Sequence, residues 1–176
     1  MNIDKTAVYL FLTLILLIAV INDLCFRKIP NWLTFPAMVM AIVYHAMARG
    51  LEGFLFSVAG VGVGIGLLII PYLKGGMGAG DPKLMGAVGG VLGPRGVFAA
   101  VIVTFLVGGV YAIILLAWHG YLRESLMRYW TIIKSFLYTK NLTYIPPTEN
   151  EKKPKLCYGV AIALGTFISV IFKIKF

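Results

Sequence analysis

Long apolar runs, parted by short polar or glycine-rich breaks, organise this chain. Residues 7–21 are apolar apart from Thr13 and follow Asp4 and Lys5. They predict a first membrane-crossing helix ending near Asn22 and Asp23. A signal peptide is disfavoured, because no small-residue cleavage site follows and further apolar runs do. Residues 24–31, LCFRKIPN, form a polar loop. Pro30 disfavours helix at Ile29, and Asn31 is placed to cap a second helix from Trp32 to about Ala48. A short turn over residues 49–53 leads to a third span, residues 54–72. Gly60, Gly62, Gly64 and Gly66 give that span two overlapping GxxxG pairs, the pattern that lets another helix approach closely. A glycine-rich bend follows at residues 75–83, GGMGAGDPK.

The apolar run after the bend, residues 82–92, is only about half the length needed to cross a bilayer. It is rich in glycine, and such a segment is tolerated where other helices bury it. Gly93 and Pro94 end it, and residues 96–118 form a fifth, full-length span. In residues 122–137, Leu122, Leu126, Tyr129, Trp130, Ile133 and Leu137 recur at helical spacing among Arg123, Arg128 and Lys134. That pattern predicts an amphipathic helix on the cytoplasmic membrane surface. A charged, proline-bearing loop (residues 146–154) and a sixth span (residues 156–172) complete the chain. The expected fold is all-α: a polytopic membrane protein with six transmembrane helices, the fourth short, in one membrane-embedded domain over residues 1–176.

Composition agrees. Of 176 residues, 60% are hydrophobic and the mean hydropathy is +0.90, more apolar surface than a soluble domain of this length buries. The net charge of +9 would suit a nucleic-acid partner, but basic cytoplasmic loops account for it in a membrane protein. Eleven of the Lys and Arg residues fall on the side of the Asp23 loop and five on the other. That loop is therefore assigned to the cytoplasm, with the amino terminus outside. Cys25 and Cys157 form neither a CxxC nor a metal spacing. His45, with no second His or Cys at ligand spacing, reads as a packing residue.

Two acidic residues stand beside long apolar runs: Asp23, where the first helix exits, and Asp81, where the fourth enters. Carboxylates at that depth are costly and point to function. Two of them at one membrane depth suggest an aspartyl dyad, in which one carboxyl keeps its proton while the other acts as base toward a water. No metal or cofactor is needed. Asp81–Pro82 reads as N-cap plus N1 of the fourth helix. The glycines before it allow a sharp bend and close approach of a substrate backbone. A phosphate loop is excluded, since no Gly-Lys-Ser/Thr ending is present. Lys83 either orients Asp81 or is a cytoplasmic-side charge. A proton-coupled small transporter relaying protons through Asp23 and Asp81 is the alternative, as is a non-enzymatic membrane-assembly component. No inverted repeat is visible, and both carboxylates fall on one side of the membrane.

Gly78-Ala79-Gly80-Asp81, with Lys83 after it, resembles the GxGD motif of type IV prepilin peptidases and archaeal preflagellin peptidases. Asp23 followed by Arg27, Lys28, Ile29, Pro30 and Asn31 resembles the family's first motif. Tyr158-Gly159 and residues 161–165 (AIALG) resemble its last-helix signature. The small size is similar to leader peptidases of tight-adherence pilus systems. The resemblance implies an aspartic endopeptidase of the cell membrane, catalysed by Asp23 and Asp81. Gly78, Gly80, Lys83, Arg27, Asn31, Tyr158 and Gly159 would support the site or bind substrate. The implied partner is a prepilin or pseudopilin, cut on the cytoplasmic side just before its hydrophobic segment. Larger members also N-methylate the new terminus and carry an amino-terminal domain with paired CxxC. With no CxxC here, only the peptidase activity is expected.

Overall fold

The computed structural model describes residues 3–118 and 157–172, with residues 120 and 127 between them. Four helical elements occur among these residues: α1 (Ile3–Phe26), α2 (Asn31–Leu73), α3 (Gly80–Trp118) and α4 (Tyr158–Ile171). Three stretches are long and apolar enough to cross a membrane: Thr6–Phe26, Asn31–Leu73 and Gly80–Trp118. Tyr158–Ile171 is a shorter apolar helix. The all-α expectation holds, but bends replace two of the expected turns. α2 is broken at Gly50 (φ 61, ψ −140) and α3 at Gly93 (φ 74, ψ 178), conformations that a residue with a Cβ rarely adopts. The turn expected over residues 49–53 is thus a one-residue break. The amphipathic helix expected over residues 122–137 and the loop over residues 146–154 lie, apart from Met127, outside the described residues.

Each helix has an inward stripe of its own. On α1, Leu12, Leu16, Ala19 and Asp23 are buried, while Leu10, Leu14, Leu17 and Ile21 are exposed. Both sets recur at three- and four-residue spacing, which puts them on two faces of one helix. Both faces being apolar is what a helix between protein and lipid requires. α1 also runs one turn past its expected end, to Phe26. There Arg27 turns into the left-handed region (φ 52) while its N–H still donates to Asp23 O at 2.9 Å. In α2, residues 51–73 bury a stripe of small residues, Gly53, Ser57, Gly60 and Gly64, and then Leu68.

The first segment of α3 is the hub. Every residue from Leu84 to Val91 is buried. A Cβ on Gly60 would run into the carbonyl of Gly89, and one on Gly64 into the carbonyl of Met85. The Gly60/Gly64 pair is therefore the packed face. Gly62 and Gly66 meet open space among the described residues, so within them only one of the two overlapping GxxxG pairs makes a helix contact. This close approach is why so short and glycine-rich a segment can lie among apolar helices.

The break at Gly93 and the proline after it disturb the backbone ladder, and two side chains repair it. The carbonyl of Gly90 would ordinarily accept from residue 94, but Pro94 has no N–H. Ser57 Oγ donates to it instead, at 2.8 Å. The carbonyl of Val91, whose helical partner lies beyond the bend, sits 3.1 Å from His45 Nε2. An unpaired carbonyl in hydrocarbon costs several kcal/mol. That cost explains why these two polar side chains are buried in a largely apolar bundle. His45, packed edge-on against Tyr44 and Phe56, is the packing residue its isolation in the sequence suggested.

By contacts the chain divides into two compact units. One comprises residues 1–108 with 157–176, the other residues 109–156. All the residues discussed as a site belong to the first. In the second, the described part is chiefly the end of α3, with Val110, Ile113, Ile114 and Trp118 exposed.

Candidate active site

The buried stripe of α1 brings Asp23 inward at its last position, and the first turn of α3 brings Asp81 inward at the hub. Their residue exposures are 7% and 6%. Between carboxylates 58 positions apart in the chain, the fold establishes an electrostatic interaction. Each is also held by a backbone amide. Gly159 N–H donates to Asp23 Oδ2 at 2.8 Å, and Gly78 N–H donates to Asp81 Oδ2 at 2.9 Å. Hydrogen bonds from backbone amides to carboxylates are charge-assisted and fix orientation. No bond to either Oδ1 is found among the described residues.

Asp81 is not the N-cap that the Asp-Pro pair suggested. α3 begins at Gly80, and Asp81 lies inside its first turn. From there the side chain reaches back three residues to the amide of Gly78, while its own N–H donates to Gly78 O at 3.2 Å. This reciprocal pair resembles a capping box with the carboxylate on the inner member. The carboxylate still stands at the positive end of the helix dipole.

Close packing explains two of the glycines. A Cβ on Gly159 would lie 2.8 Å from Asp23 Oδ2 and 3.0 Å from Asp23 Cβ; one on Gly80 would lie 2.7 Å from Ile29 Cβ. The first glycine makes room for a carboxylate. The second seats Ile29 of the loop between α1 and α2 against the glycine bend. Gly78 is different: a Cβ there would meet Asp81 Oδ2 at 3.6 Å, an ordinary contact. Its contribution is the amide.

Lys83 does not pair with Asp81. Its ammonium donates to Asn31 Oδ1 at 2.8 Å and stands 5.3 Å from the ring centroid of Phe35, within cation–π range. Asn31 is therefore occupied as a bridge between α2 and α3. It does not cap α2, whose N-cap position is Pro30, with no side-chain hydrogen bond. Arg27 is exposed and terminates α1. Tyr158 opens α4 and lies within the field of Asp81.

Two participants were not legible as such. Cys157 is half-buried with Sγ 4.0 Å from Asp23 O, and the charges of Asp23, Arg27 and Asp81 act on it. Its position before Tyr158-Gly159 was the available signal. Ile29 had only its place between Lys28 and Pro30 to mark it.

The model of the type IV leader peptidase family matches residues 10–113, more than half of the chain. The chain belongs to that family. Neither a curated protein nor a solved structure matches it. Family membership makes it a leader-peptidase-like protease with a protein substrate, and its apolar helices fit a membrane protein. Asp23 and the GxGD segment lie inside the matched residues. Tyr158 and Gly159 lie beyond them, so their place at the site rests on the geometry.

Proposed function

We propose that this chain is a membrane aspartic endopeptidase. It removes the leader of type IV prepilin-like substrates at the cytoplasmic face, with Asp23 and Asp81 as the catalytic pair. The observation that carries the reading is the pair itself. Two buried carboxylates from different helices interact, and each is oriented by one glycine amide. One carboxyl keeps its proton and hydrogen-bonds the scissile carbonyl oxygen, while the ionised partner takes a proton from a water. The water oxygen bonds to the carbonyl carbon. The resulting tetrahedral species collapses with cleavage of the C–N bond, and the leaving amine takes up a proton from the dyad. The products are a free carboxylate on the leader and a free amine on the pilin.

Five of the six crossings suit the dimensions, while the helix assigned to the sixth, Tyr158–Ile171, is shorter at 14 residues. At about 1.5 Å per residue, α2 and α3 are each about 60 Å long, twice the hydrocarbon core of about 30 Å. Their breaks at Gly50 and Gly93 let each cross twice. Both carboxylates then share the cytoplasmic boundary, where the positive-inside count places the loop after α1.

The test is cleavage of a co-expressed prepilin, followed by its mobility on a gel. Wild type shortens the substrate, whereas Asp23→Asn and Asp81→Asn, which keep shape and remove charge, leave it uncut. Cleavage by either variant would refute the dyad. Proton flux without cleavage would favour a transporter.

A further inference from the structure

The two carboxylates are held by the same kind of donor, and each donor follows the same kind of residue. Gly78 and Gly159 each give an N–H to one Oδ2. A glycine has no side chain with which to fix its own position, so the place of its amide is inherited from its neighbours. Before Gly78 stands Met77. Across residues 72–79 it alone is not exposed, and its side chain packs against the hydrophobic core. The other residues from 75 to 80 offer nothing larger than the methyl of Ala79. Before Gly159 stands Tyr158, half-buried, with its ring beside Gly108 of α3.

We propose that Met77 and Tyr158 are positioning residues, each anchoring the glycine amide that orients one carboxylate. The inference rests on Asp23 and Asp81 being the catalytic pair. A loop with four glycines within residues 75–80 has high conformational entropy when free. One partly buried thioether, packed against the core, restrains it at the position next to the donor. Methionine suits the task, being unbranched and able to fill irregular space. With both Oδ2 atoms held, the two Oδ1 atoms are left to share a proton and to meet the water. Loosening either anchor lets a carboxylate wander, and a misplacement of about 1 Å can cost about 100-fold in rate. Substrate affinity, set by contacts elsewhere, changes little.

The experiment uses the full-length protein in lipid nanodiscs, with a peptide spanning a pilin leader junction as substrate. Met77→Ala and Tyr158→Ala lower kcat about tenfold or more with KM nearly constant, whereas Met77→Leu and Tyr158→Phe, which keep the buried bulk, restore it to within a few-fold. In parallel, hydrogen exchange read by NMR on glycine-labelled protein reports the amides directly. Exchange at Gly78 rises in Met77→Ala and not in Met77→Leu. Unchanged exchange at Gly78 in Met77→Ala, or a kcat loss as large in Met77→Leu as in Met77→Ala, overturns the proposal. Asp23→Asn and Asp81→Asn separate the two readings. If either still cleaves, the dyad is wrong, while the exchange data judge the anchor on their own. If both are dead and Met77→Ala keeps wild-type kcat, the anchor alone is wrong.

Discussion

Replacing Gly159 by alanine adds one methyl group next to the Asp23 carboxyl. The added Cβ would lie 2.8 Å from Asp23 Oδ2, 3.0 Å from its Cβ and 3.1 Å from its Cγ. Carbon atoms in comfortable contact stand about 3.5–4.0 Å apart, so Asp23 must retreat by about 0.5–1 Å. That retreat lengthens the 2.8 Å bond from Gly159 N–H and takes the carboxylate out of register with Asp81. On the scale of about 100-fold per ångström of misplacement, kcat falls by one to two orders of magnitude. The local helix does not suffer, because alanine favours a helix over glycine by about 1 kcal/mol. The loss should therefore appear in cleavage of a leader-junction peptide and not in yield or thermal unfolding. Gly78→Ala is the matched comparison, since its Cβ would meet Asp81 Oδ2 at a relaxed 3.6 Å and the amide is retained; a few-fold loss at most is expected. Wild-type cleavage by Gly159→Ala, or equal damage from the two substitutions, would refute the steric argument. A double-substitution check is available as well. Asp23→Asn should cost less in the Gly159→Ala background than in wild type, because both act on one group.

Other expectations follow from the packing. Gly60→Ala drives a methyl into the backbone of Gly89 and should lower stability by about 1–3 kcal/mol, whereas Gly62→Ala, pointing into open space, should be neutral or slightly stabilising. Thermal unfolding in one detergent compares the pair. Ser57→Ala removes the donor to Gly90 O and leaves that carbonyl unpaired beside Pro94, at a cost of about 1–3 kcal/mol; Ser57→Thr, which keeps a hydroxyl, should recover part of the loss. Among the described residues the hydrogen-bond partner of Cys157 is a backbone carbonyl, Asp23 O at 4.0 Å, so Cys157→Ala should cleave substrate. Attaching a bulky maleimide to Cys157 in a Cys25→Ala background should stop cleavage by crowding Asp23, and retained activity after complete labelling would contradict that placement.

The hydrophobic pattern carried much of the architecture on its own. Apolar runs of span length, broken by Gly50, Gly93 and the glycine bend, announce an all-helical membrane bundle. A short run of residues 82–92 can only be a segment sheltered by others, and the structure buries it completely from Leu84 to Val91. The two aspartates stood out because a carboxylate beside hydrocarbon is expensive wherever it occurs, whatever the fold. The lone His45 could be assigned to packing for the converse reason, that no second ligand stood at a usable spacing.

Other features depend on which surfaces meet, and no local pattern encodes that. Gly60 and Gly62 look equivalent along the chain, yet the rotation of one helix presses the first against Gly89 and leaves the second open. Lys83 lies two positions from Asp81, but its ammonium reaches Asn31, 52 positions away, because the loop after α1 docks on the glycine bend through Ile29. Ser57 and His45 acquire their partners only where the break at Gly93 strips two carbonyls of theirs. The amide of Gly159 reaches Asp23 across 136 positions, a pairing set by how α4 packs on α1. Periodicity and charge cost are properties of a segment and can be read from it. Orientation, register and the hold on each carboxylate arise from contacts between segments, and these exist only once the bundle is assembled.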